Sequence, residues 1–100
     1  MTSQAYETVA RDSAQLSAYT AQLGRRLADL SQRTTAIIGG TATGDDRAMT
    51  GQLSDISRRL ASASRAFDEA AQAARRAARE AAEAEAQAAR QARQAHQGRR

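Results

Sequence analysis

Few side chains in this chain could carry chemistry, and their types and spacing can be weighed one at a time. The 100 residues hold one histidine, His96, and no cysteine. Structural zinc sites are built from four Cys or His ligands, so this residue set argues against one, and disulfide and thiolate chemistry are absent. His96 sits near the end of an Ala-rich run and reads as a surface histidine. Asp45-Asp46 has the form of a carboxylate pair for general acid–base work. Just after a glycine cluster, however, it is better explained as the acidic start of a helix, where the helix dipole favours negative charge. Gly39, Gly40 and Gly44 suggest a phosphate-cradling loop, but no Gly-Lys-Ser/Thr follows them and no strand pattern precedes them. No catalytic, metal-ligating or cofactor-binding residue is therefore assigned, and the reading is non-enzymatic.

Charge is the second source of chemistry. There are 15 Arg, no Lys and 26 Ala. Residues 1–69 carry eight Arg and eight acids, whereas residues 70–100 carry seven Arg and three Glu, so the whole net charge of +4 falls on the tail. Arg75, Arg76, Arg79, Arg90 and Arg93 are the tail's candidate anion contacts. Phosphate neutralisation by such residues, with a pI of 10.9, fits a nucleic-acid partner. Against it, Glu80, Glu83 and Glu85 are interleaved and no aromatic follows Phe67 to stack on bases. A membrane-surface helix has less support, because the apolar positions beyond Phe67 are all Ala and offer little area to insert. No run approaches the ~18 apolar residues of a membrane span. The first ten residues lack a basic segment followed by an apolar one, so no general secretory signal is expected there.

The elements that position these residues are helices. The turn signal is Ile38-Gly39-Gly40 with Gly44 and Asp45: glycine ends helices at low cost, and Thr43 or Asp45 is suited to start the next. The pattern predicts helix 1 over about 4–38 with Ser3 as its N-cap, a turn over 39–44, and helix 2 from about 45. A 4-3 alternation runs along both helices. Its large members are Val9, Leu16, Leu23, Leu27, Leu30 and Ile37, then Met49, Leu53, Ile56, Leu60 and Phe67. These are expected to form the hairpin seam. An adjoining row is small on both helices: Ala10, Ser17, Gly24, Ser31 and Ile38, then Thr50, Ser57, Ser64 and Ala71. Gly24 in mid-helix costs about 1 kcal/mol relative to Ala and marks either tolerance or a close helix contact.

The fold class expected is all-α, an antiparallel hairpin over 1–82 whose longer second helix leaves 83–100 projecting. Isolated helices of that length are marginal in water, so order is expected to fade towards Arg100, with weak support from Arg76–Glu80 and Arg79–Glu83 pairs. A two-helix seam buries little apolar surface for the number of residues it orders. A second hairpin completing a four-helix bundle is the natural remedy. The small rows are the expected docking face.

The Met-Thr-Ser-Gln start, the two helices, the length and Ile38-Gly39-Gly40, followed by Thr41 to Met49, resemble the W-x-G helical-hairpin (Esx-like) family of type VII secretion over roughly residues 1–82. Ile38 replaces the family's Trp. The family's Tyr-x-x-x-Asp/Glu export signal has no counterpart, since Tyr6 and Tyr19 are followed at the fourth position by Ala10 and Leu23. The resemblance implies a homodimer or heterodimer with another hairpin protein or with the N-terminal region of a larger effector or toxin. It also implies a place in the cytoplasm before export and outside the cell or on its surface afterwards, with the export signal carried by the partner. The other readings are a basic Ala/Arg-rich nucleic-acid-binding accessory protein and a cytoplasmic coiled-coil scaffold.

Overall fold

A computed structural model describes residues 1–39 and 43–98. They form two helices, α1 (Ser3–Ile38, 36 residues) and α2 (Gly44–Gly98, 55 residues), packed as an antiparallel hairpin with no strand among the described residues. The chain contains no proline, and α2 is rich in Ala, the best helix former. That composition carries α2 without a break to Gly98, further than the expected fading of order.

The helix ends are set locally. Thr2, not Ser3, is the N-cap of α1: its backbone is extended and its hydroxyl accepts the Ala5 N–H at 3.1 Å. At the other end Gly39 takes φ 58°, a conformation that L side chains rarely adopt, and donates its N–H to the Thr35 carbonyl. Of the two expected starters of α2, Thr43 acts as the cap. Its hydroxyl accepts the Asp46 N–H at 3.3 Å, and the Asp46 carboxylate accepts the Thr43 N–H at 2.9 Å. This reciprocal pair is a capping box with Asp in the third helical position. Gly40, also assigned to the turn motif, lies outside the described residues.

The molecule is a rod with extents of 89 × 15 × 12 Å. At the open end, the Ser3 backbone N–H and hydroxyl each donate to the Glu85 carboxylate at 2.9 Å. The two helices thus run side by side as far as Glu85. The remainder of α2 continues alone for about 20 Å at 1.5 Å per residue, and every described residue from Ala82 to Gly98 is exposed.

The seam is not the one expected. Its buried residues are Ala10, Gly24 and Ser31 on α1 and Ala71, Ala74 and Ala78 on α2. Among the described residues no large side chain is fully buried. A Cβ on Gly24 would stand 3.4 Å from the Ser57 carbonyl oxygen and 3.5 Å from Leu60 Cβ. Mid-helix Gly24 therefore marks a close approach of the two backbones. Serine hydroxyls bond across that narrow gap. Ser17 Oγ donates to the Ser64 carbonyl, Ser64 Oγ returns the bond to the Ser17 carbonyl, and Ser57 Oγ donates to the Gly24 carbonyl, each at 2.8 Å. Ser31 Oγ lies 3.4 Å from the Thr50 carbonyl and 3.2 Å from Ser54 Oγ.

Ala10, Ser17, Gly24, Ser31, Thr50, Ser57, Ser64 and Ala71, assigned to a partner interface, thus close the hairpin itself; Ile38, from the same row, is half-buried at the end of α1. The physical reason is distance. Large side chains between two helices hold the axes about 8–10 Å apart. A row that is small on both helices lets the backbones approach until hydroxyls reach the opposite carbonyls. Every buried side-chain polar atom among the described residues has a hydrogen-bond partner.

Candidate association face

The closing of the seam by small residues determines where the large ones go. Successive residues step about 100° around a helix. Val9, Leu16, Leu23, Leu30 and Ile37 each precede a member of the small row on α1 by one residue. Met49, Ile56 and Ala63 each precede Thr50, Ser57 and Ser64 on α2. Two antiparallel helices are related by a two-fold axis normal to the plane they share. The same offset on each therefore brings both large rows to the same side of the hairpin.

That side is apolar and open. Val9 keeps 43% of its surface exposed, Leu16 46%, Leu30 49%, Ile37 85%, Met49 44% and Ile56 46%. Leu23, Leu27, Leu53, Leu60 and Phe67 are half-buried. Of the residues read as a seam, the exposed ones therefore form a ledge beside the contact, while the half-buried ones, Leu60 against Gly24 among them, border it. Scattered exposed aliphatics are ordinary on a soluble protein; a contiguous apolar strip along the length of a hairpin is the kind of surface that marks an interaction site.

The opposite side of the same seam differs in kind. Its shallow grooves are lined by Ala21, Arg25, Ala28 and Arg65, and further along by Gln72, Arg75, Arg76 and Arg79. No large aliphatic side chain lines these grooves. The hairpin is two-faced, with one face apolar and the other polar with several arginines.

The charged groups are surface groups. The ion pairs among the described residues are Arg33–Asp29 and Arg59–Asp55, each 3.0 Å and each joining side chains four residues apart. The expected Arg76–Glu80 and Arg79–Glu83 pairs do not form. The Glu85 carboxylate is held below its ordinary pKa, first by the Ser3 backbone N–H and then by the Ser3 hydroxyl, both of which stabilise the ionised form. This latch was not legible beforehand, because 82 residues separate its partners. Ala74 belongs to the Ala continuation of the seam register and Ala78 to the small row after Ala71, but nothing in their type distinguishes them from the Ala background.

Among the described residues, His96 and the Asp45-Asp46 pair are not brought together. His96 is exposed on the projecting part of α2, and Asp45 and Asp46 lie at its start. Among the described residues no group of three His, Cys, Asp or Glu side chains could hold a metal ion. No helix there is long and apolar enough to cross a membrane. What the arrangement offers is a surface for association. No protein-family model, curated protein or solved structure matches the chain.

Proposed function

We propose that this chain is a non-enzymatic association protein that pairs through its apolar face with a second helical hairpin to make a four-helix bundle. The observation that carries the reading is the one-sided ledge: Val9, Leu16, Leu30, Ile37, Met49 and Ile56 each keep more than two-fifths of their surface in water. Two hairpins facing each other would cover these rows, and burial returns about 25 cal/mol per Å² of apolar surface. The partner is another copy, another hairpin protein, or the N-terminal hairpin of a larger effector or toxin.

The role we propose is partner or targeting factor in a type VII-like secretion system. Its support is the resemblance around Ile38-Gly39-Gly40, together with a helix–turn–helix hairpin that has an uncovered apolar face. On this reading the chain is made in the cytoplasm and leaves the cell with its partner. The test is export: deleting the host's secretion ATPase should retain the chain in the cell pellet, whereas undiminished appearance in the medium would contradict the secretion role. The pairing itself is tested separately by the mass of the protein in solution.

A further inference from the structure

The grooves opposite the apolar ledge lead to a second surface, on the second half of α2. Around the helix, Arg75, Arg79, Arg90 and Arg93 fall within a sector of about 60°, over a length of about 27 Å. Arg76 stands about 40° outside that sector. The stripe lies nearly opposite the row of Met49, Ile56, Ala63, Ala70 and Ala77, so covering the apolar face leaves it open.

These arginines are available. None of the five has an ion-pair partner among the described residues, where the ion pairs formed lie instead within α1 and in the first half of α2. The acids nearby are accounted for. Glu85 points towards the α1 terminus, where Ser3 holds it, and Glu80 lies beyond Arg76 on a different side of the helix. Glu83 flanks the stripe, Glu7 shares a groove with Arg75 and Arg79, and Asp68 precedes it, so the stripe keeps a net positive charge. Gln72, which lines a groove with Arg75, Arg76 and Arg79, and Gln97 lie in the same sector and add neutral hydrogen-bonding groups.

From this geometry we infer that the Arg stripe of α2 binds the phosphate backbone of double-stranded nucleic acid, without reading sequence. A straight rod bearing cationic side chains at intervals suits a regular line of phosphates, which it meets through charge. The absence of aromatic side chains beyond Phe67 and of any base-reading element limits it to backbone contact. An anionic membrane is the less fitting partner, since the tail has no large apolar side chain to insert.

The experiment is fluorescence anisotropy of the full chain with a labelled 20-base-pair duplex of arbitrary sequence, titrated across NaCl concentrations. Four phosphate contacts give a log–log salt slope of about −3.6 and a loss of affinity of ~10²-fold between 50 and 200 mM salt. The variant R75Q/R79Q/R90Q/R93Q should lose that binding, and the corresponding R→K variant should keep it and its salt slope. Gln and Lys match Arg closely in helix propensity, and circular dichroism checks the fold of both. The inference is overturned if the chain fails to bind duplex at 50 mM salt, or if the Gln variant binds as well as the parent. It is also overturned if the Lys variant loses binding while helical, or if the chain prefers phosphatidylserine vesicles to the duplex. Failure here leaves the pairing of the apolar face untouched, because the two surfaces share no residue.

Discussion

Gly24 lies where the two helices come close. A methyl group there would meet the Ser57 carbonyl at 3.4 Å, about ordinary contact distance. Gly24→Ala should therefore be tolerated, its gain in helix propensity of up to about 1 kcal/mol offsetting any crowding. Gly24→Leu has nowhere to place its side chain and should destabilise the hairpin by about 1–3 kcal/mol through overpacking. Thermal melts followed by circular dichroism separate the two, and equal stability would mean that the backbones do not approach there. Ser3 and Glu85 make the second residue-scale claim. A carboxylate whose pKa is lowered on folding stabilises the folded state above its ordinary pKa, about 4.3 for Glu. That contribution is lost as pH falls through the lowered value. Protection of the amides in the first turn of α1 against hydrogen exchange should thus weaken on acidification below that range. In Glu85→Gln the protection should be weaker at neutral pH and insensitive to acid. An unchanged profile would remove the latch.

Among elements, the hairpin was readable and its facing was not. Proline-free helix-forming runs, glycines at the turn and a 4-3 apolar period fix two antiparallel helices and the greater length of the second. The period also identifies the rows that lie near the partner helix. It cannot say which of two neighbouring rows lies innermost, because they differ by a single residue step. Close packing decided that point: Ser17, Gly24 and Ser31 opposite Ser64, Ser57 and Thr50 allow contact between backbone and hydroxyl that leucines would prevent. The mid-helix glycine was the usable signal for it. Two substitutions test the assignment. Ser57→Leu should open the hairpin, at about 1–3 kcal/mol for overpacking plus about 1 kcal/mol for the lost hydrogen bond. Leu30→Asp, at a position 49% exposed, should cost the isolated hairpin only about 1–1.5 kcal/mol while weakening its association. Denaturant unfolding at low protein concentration reads the first effect, and mass in solution reads the second. The reverse ranking in unfolding would restore the large rows to the seam.

At the scale of the whole molecule, a rod 89 Å long and 15 × 12 Å across has too little interior for its apolar residues. The small seam closes two helices and leaves the large aliphatics beside it. On the proposed reading a second hairpin covers the apolar ledge, while the Arg-bearing side and the projecting part of α2 remain free. Light scattering on the purified chain, alongside the variant L16D/L30D/I56D, tests this most directly. The parent should show a mass of at least twice 10.7 kDa, and the variant should fall to one chain while remaining helical. A parent that stays a single chain at hundreds of micromolar would contradict self-pairing, and a variant that associates as the parent does would contradict the apolar ledge as the site of pairing.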